Sequence, residues 1–348
     1  MTDQQISSTE LPARNAGSRL APHHIALAIL WLVTTGVLVS MLFGGVRETD
    51  QYGAMRHALH SAYVLALVWY LCRSGPSTSR LPEIPQFLFR RWRSASWIPV
   101  IGIALVLILT MASDAGEDLR LLLLIISTVW ILIAWRRQIK LRAVVQGLAV
   151  GLAAFLAGIP FMKNDFVGPT VVYLLPSVGV LMYIAGGLLS ERTGLGGVQL
   201  LAGRYGQAIK SFLWGCLLFV PLGLINATDG SPGTSITWVR EGWMPFSLPW
   251  FSGITEEIWF RLLLVGLCYF LLRPAFKRHP ALAVLAAVLF SGITFGLGHG
   301  RTVERFLTTG LLYGVPMAVV FAKRDWEHAV GAHYMVNMIP WLAVFLKT

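Results

Sequence analysis

Apolar segments of near-spanning length recur from one end of this 348-residue sequence to the other, and a chain built that way has few ways to fold. In hydrocarbon every backbone N–H and C=O must be paired inside the protein, so a long apolar run becomes a helix. About 20 residues carry a helix across about 30 Å of hydrocarbon. By that measure eleven segments qualify: 24–46, 57–72, 96–113, 119–135, 143–162, 169–189, 211–226, 245–272, 281–298, 303–322 and 328–346. The second and the seventh are short. The expected fold is an all-α polytopic integral membrane protein of about eleven transmembrane helices, with its chemistry in the last four. Only 13% of residues are charged and mean hydropathy is +0.65, against roughly 25% charged in an ordinary soluble domain.

The formal net charge of +11 reports topology and not nucleic acid, because the basic residues alternate from loop to loop. Nineteen of the 28 Lys and Arg residues fall in the amino-terminal tail and every second loop, eight fall on the other side, and Arg261 lies inside a segment. The positive-inside rule then puts the amino terminus in the cytoplasm and the carboxy terminus outside, as in a bacterial inner membrane. The polar, charge-mixed start carries no signal-peptide pattern, which makes Met1 the expected start of the mature chain. Cys72, Cys216 and Cys268 all fall in apolar segments without a CxxC or a Cys/His cluster, so they read as packing residues.

Three regions are expected. Residues 1–23 lack apolar periodicity and read as a disordered cytoplasmic tail. Residues 24–210 read as a membrane-helical scaffold whose charges stay on the flanks, with Asp114 and Glu117 in an outer loop. Residues 211–348 read as the functional core. Within the scaffold, Gly147 and Gly151 form a small-xxx-small pair suited to close helix packing. A Gly-rich stretch from Ser190 to Lys210 reads as a cytoplasmic loop lying partly on the anionic leaflet. Asp229, Gly230, Pro232 and Gly233 mark a turn-rich outer loop, and no internal repeat is evident.

From residue 245 onward, polar residues enter the spans at helical spacing. The first set is Glu256, Glu257 and Arg261. A charge inside a span costs at least a few kcal/mol, so three need partners and a reason. Glu257 and Arg261 are four apart, share a face and stand in the favourable acid-before-base order. Glu256 lies about 100° around the helix and needs another partner. A carboxylate held apart in a water-poor pocket suits a general base, so Glu256 is the candidate base, with Glu257 and Arg261 organising the site. The second set pairs Phe295 with His299, and the third pairs His333 with Asn337, each at i, i+4. Neutral His and Asn donors suit an oxyanion. Each set alone is equally what a helix-fixing polar contact would look like.

Together the pattern EExxxR, FxxxH, HxxxN resembles the CAAX protease and bacteriocin-processing family of intramembrane endopeptidases, which includes the prenyl-protein proteases of the Ras-converting type. The resemblance covers about the last 100 residues. It implies that Glu256 and His299 activate a water for attack on a peptide carbonyl, and that His333 and Asn337 stabilise the oxyanion. Expected partners are membrane lipid and a peptide or protein substrate. No cofactor is expected; the alternative is a zinc enzyme in which Glu256, His299 and His333 bind the metal. A proton relay in a transporter and a non-proteolytic scaffold or immunity protein are the competing readings from other classes. One tension remains in the sequence: Glu256 and His299 fall toward the outer side of their spans, whereas His333 falls only about 9 Å from the inner start of its own.

Overall fold

The computed structural model describes residues 22–43, 50–74, 98–112, 114–162, 168–228 and 243–347. The proposed tail as far as residue 21 and the turn residues of the loop before residue 243 lie outside these, while residues 22 and 23 already belong to the first helix. Among the described residues the regular structure is helical: α1 (Pro22–Phe43), α2 (Asp50–Ser74), α3 (Ile98–Ala112), α4 (Asp114–Ala134), α5 (Leu141–Gly158), α6 (Gly168–Thr193) and α7 (Tyr205–Thr228) come first. Then α8 (Met244–Glu256) continues through a π-helical segment (Glu257–Val265) into α9 (Gly266–Leu272). They are followed by α10 (Pro280–Gly298), the single turn α11 (Val303–Arg305) leading into a second π segment (Phe306–Gly314), α12 (Val315–Lys323) and α13 (Trp326–Lys347).

Six described helices are long and apolar enough to cross a membrane: 141–161, 171–193, 205–228, 280–298, 303–323 and 326–346. Residues 27–42 and 119–134 form shorter apolar helices. The all-α membrane architecture therefore holds, while the full set of eleven spans is not established. The α8–π–α9 helix is the informative omission, since its two glutamates and arginine take it out of the class of purely apolar spans. Two local expectations change. The short seventh segment is a 24-residue helix, and Asp114 and Glu117 lie in the first turn of α4 instead of in a loop.

Glycines set the close approaches. A Cβ on Gly147 or Gly151 of α5 would press on Ile184, Tyr183, Val180 and Pro176 of α6, so this pair serves packing within the chain. Gly215 and Gly223 of α7 meet the α13 backbone at His328 and Met335, and Gly331 of α13 meets the α7 backbone at Phe212. Ser211 contacts Asp325 and Asn226 contacts Val336, so α7 and α13 run parallel. Gly292 and Gly296 of α10 lie against Val315 and Gly310, and Gly314 lies against Gly292, which brings α10 and the second π segment to near backbone contact.

The Gly-rich stretch is tucked into the bundle. Gly194 and Gly196 take φ of 67° and 58°, a left-handed conformation that costs glycine little, and the turns they allow bury Leu195 and Val198. Trp326 N–H donates to Gly197 O at 2.8 Å. Glu327 accepts from Gln199 N at 3.0 Å and from Leu200 N at 2.8 Å. Asp325 accepts from Gln199 Nε2 at 3.0 Å, Ser211 Oγ at 2.8 Å and His328 N at 2.9 Å. These bonds seat the start of α13 beside Ser211, six residues and about 9 Å inside the amino end of α7. Every later residue of α13, His333 included, is displaced along the bundle by the same amount.

Candidate active site

That displacement removes the tension between inner and outer polar groups. His333 Nδ1 lies 2.8 Å from Glu257 Oε1, and His333 Nε2 lies 3.8 Å from Glu256 Oε2. His299 Nε2 lies 3.8 Å from the same Glu256 oxygen. Three of the expected residues thus converge from α8, α13 and the carboxy-terminal end of α10.

The two adjacent glutamates have different surroundings. Glu257 is fully buried, as is Arg261, whose Nε stands 3.3 Å from Glu257 Oε2. Arg261 is further held by Ser291 Oγ at 3.3 Å and Met317 Sδ at 3.7 Å, and its guanidinium lies 4.6 Å from the centre of the Phe295 ring. Glu257 therefore balances one cation and orients one imidazole. The Glu256 side chain keeps 27% exposure, and its Oε2 has no hydrogen-bond partner among the described residues. The helix passes from α to π at this point, a local widening frequent at functional sites.

Phe295 is the hub of the aromatic packing. Its ring centre is 4.6 Å from His299 and 5.6 Å from His333, the latter edge-on at 85°. His299 caps α10 and donates from Nδ1 to Phe295 O at 2.9 Å. Since a carbonyl and a carboxylate only accept, both histidines spend the Nδ1 proton outward, and both turn Nε2 toward Glu256. Asn337 donates from Nδ2 to Ser252 Oγ at 3.0 Å, one turn of helix before Glu256. Among the described residues Asn337 has no hydrogen bond to Glu256, His299 or His333, so its place in the site is by proximity along α13 and through Ser252.

Glu256 and His299 line a cleft of about 350 Å³. Its other walls are less expected: Leu175 comes from α6 and Arg120, Leu121 and Leu124 from α4. The region read as scaffold therefore contributes to the cleft. Arg120 looked like an ordinary flanking charge, and nothing in its spacing marked it. Ser252 and Ser291 could have been found, because each stands four residues before a singled-out residue, Glu256 and Phe295, at the spacing that places two side chains on one helix face.

Among the described residues no group of three or more His, Cys, Asp or Glu side chains is arranged to hold a metal ion. Glu256, His299 and His333 are the donor set of the zinc alternative, which metal removal distinguishes from the metal-free reading.

Residues 238–339 match the model of a family described as Rce1-like, type II CAAX prenyl endopeptidase. The similarity is confined to this segment. It runs from just before α8 into α13 and contains Glu256, Glu257, Arg261, His299, His333 and Asn337, whereas Arg120 and Leu175 lie outside it. No curated protein and no solved structure matches the chain. The six apolar helices fit an integral membrane protein, and the Rce1-like match over residues 238–339 supports a protease and so hydrolysis over transport or scaffolding.

Proposed function

We propose that the protein is an intramembrane endopeptidase that hydrolyses peptide bonds of membrane-associated substrates with a glutamate-activated water. The observation that carries this reading is the approach of two imidazole nitrogens, each 3.8 Å away, to one Glu256 oxygen that makes no hydrogen bond. The spacing leaves room for a water that donates one proton to Glu256 and the other to an imidazole nitrogen.

In the first step the water oxygen bonds to the peptide carbon as its proton passes to Glu256, and the carbonyl π electrons move to oxygen. Asn337 has a second N–H beyond the one on Ser252 and can donate to that oxyanion. His333 serves as a donor from Nε2 in the ring protonated on both nitrogens, and the two cations it then forms with Arg261 are balanced by the two glutamates, Glu257 at 2.8 Å and Glu256 at 3.8 Å from the ring. In the second step the oxyanion re-forms the carbonyl, the C–N bond breaks, and Glu256 returns its proton to the amine. His299 holds the water from Nε2, its tautomer fixed by Phe295 O. Glu257 and Arg261 position His333 and do not meet the substrate. Removing one oxyanion donor typically costs about 100- to 1,000-fold in turnover.

The test is comparative proteomics of membrane peptides from cells carrying the wild type or Glu256→Ala. A set of membrane-derived peptides should disappear in the variant while their precursors accumulate. Identical peptide profiles, with both proteins present at equal level, would refute the endopeptidase reading.

A further inference from the structure

Toward the other membrane face from the cleft, the turn that follows α6 helps enclose a separate space. This cavity of about 280 Å³ is walled by Gly194, Gly196 and Gly197 of the turn, by Ser190 and Glu191 of α6, and by Arg324 between α12 and α13. Val198 and Leu201 add an apolar side. Its α6 wall begins at Gly187, about 18 Å along the helix from Leu175 of the cleft. The two spaces are therefore distinct.

The apolar spans 171–193 and 303–323 both end at this cavity, so it stands at the level where hydrocarbon gives way to headgroups. Basic residues dominate this edge. Arg192, Arg204, Lys323 and Arg324 stand there against Glu191, and that carboxylate is already held by Lys140 Nζ at 3.0 Å.

Arg324 has donors to offer. Its Nη2 donates to Ser74 Oγ at 2.8 Å, and its guanidinium stands 5.9 Å from the centre of the Tyr70 ring. These two contacts orient a fork of five N–H groups, and among the described residues no carboxylate pairs with it. The Ser190 hydroxyl is spent on Gly196 O, which leaves Arg324 as the side chain of this cavity suited to an anion. A guanidinium beside a small cavity with one apolar wall, at headgroup level, matches a phosphate diester carried on an apolar body.

We propose that this cavity binds the headgroup of an anionic phospholipid, with Arg324 on the phosphate and the glycerol end of the acyl chains along Val198 and Leu201. The proposal does not rest on the endopeptidase reading. It does bear on the fold, because Trp326 N–H donates to Gly197 O and ties this turn to the start of α13. A bound headgroup should therefore steady the seat that sets the depth of His333.

Binding is measured by native mass spectrometry on the full-length protein, delipidated in non-ionic detergent, with thermal melting followed alongside. The probes are dioctanoyl phosphatidylglycerol, dioctanoyl phosphatidylcholine and inorganic phosphate. Phosphatidylglycerol should raise the melting temperature and bind at least about 10-fold more tightly than phosphatidylcholine, whose quaternary ammonium meets a basic edge. With Arg324→Gln its affinity should fall about 10- to 100-fold, the range of a charge-assisted hydrogen bond. Ala202→Trp narrows the cavity from its exposed wall and leaves Arg324 in place; it should weaken phosphatidylglycerol as well. Arg204→Gln removes an exposed charge outside the cavity walls and should change affinity less than about twofold. Equal binding of the two lipids would overturn the proposal, as would phosphatidylglycerol binding unchanged in whichever cavity variant folds. Equal weakening by Arg204→Gln and Arg324→Gln would mark a diffuse basic surface, and inorganic phosphate bound as tightly as phosphatidylglycerol would mark a free-anion site. Either result overturns the headgroup assignment.

Discussion

Helix α13 carries two carboxylate and histidine clusters that differ in one respect. At its amino end, all four oxygens of Asp325 and Glu327 accept hydrogen bonds, from Gln199, Leu200, Ser211 and His328. Two turns later the helix delivers His333 to a pair of glutamates that each keep one oxygen without a hydrogen bond: Glu257 Oε2 is set against the buried Arg261 at 3.3 Å, whereas Glu256 Oε2 belongs to a side chain that is 27% exposed and lines the cleft. A network in which every carboxylate oxygen is satisfied fixes the register of a helix. An unsatisfied buried acceptor costs about 1–3 kcal/mol, and that cost at a cleft is reason to look for chemistry. The comparison assigns the first cluster to architecture and the second to reaction, and it also divides the glutamate pair, with Glu257 belonging to architecture and Glu256 to reaction.

The most severe way to break the comparison is to strip the architectural member of the pair. Glu257→Gln leaves Arg261 buried beside a neutral amide, and Arg261→Met leaves Glu257 without its cation. Loss of one member of a buried ion pair typically costs about 3–5 kcal/mol, so each variant should unfold well before wild type in thermal denaturation. Wild-type melting of both would dissolve the distinction between the two glutamates.

Next in size are His333→Ala and Asn337→Ala, each expected to lower turnover about 100- to 1,000-fold with little change in apparent affinity. Since both act on one oxygen, the double variant should lose less than the product of the single losses. Normal turnover by both would return these residues to helix packing.

A smaller effect is expected at the satisfied cluster. Burial pushes the Asp325 carboxyl up, but its hydrogen bonds and charge interaction with His328, together with the Ser211 bond, leave it below the ordinary carboxylate range. A depressed carboxylate adds stability above its unfolded pKa of about 3.9, and that stability is lost as pH falls through the folded value. Asp325→Asn should therefore cost about 1–3 kcal/mol at pH 7, and the gap to wild type should narrow below about pH 4. A gap that stays constant down to pH 3 in thermal melts would contradict this.

The smallest effect is expected from metal removal. After exhaustive chelation, peptide cleavage should persist and show no correlation with residual zinc measured by mass spectrometry. Activity lost on chelation and restored by zinc would move Glu256, His299 and His333 into a metal site.

Much of this division was legible in the sequence, because α-helical spacing puts Glu257 with Arg261 and Phe295 with His299, and both pairs meet as expected. The convergence of the three sets was not legible. It depends on how far α13 is set along α7, which the Gly194–Gly203 loop and the Asp325 and Glu327 bonds determine at long range in sequence. Arg120 was hidden for a related reason, since its place at the cleft follows from what packs against α4 and a lone flanking arginine has no local pattern.

The central claim is that Glu256 takes the proton of the attacking water, and the most direct measurement is the cleavage rate of a membrane peptide by purified Glu256→Gln against wild type. The amide keeps the size of the side chain and removes the base, so turnover should fall about 100- to 10,000-fold while thermal melting stays close to wild type. Wild-type turnover by a correctly folded Glu256→Gln protein would contradict the account.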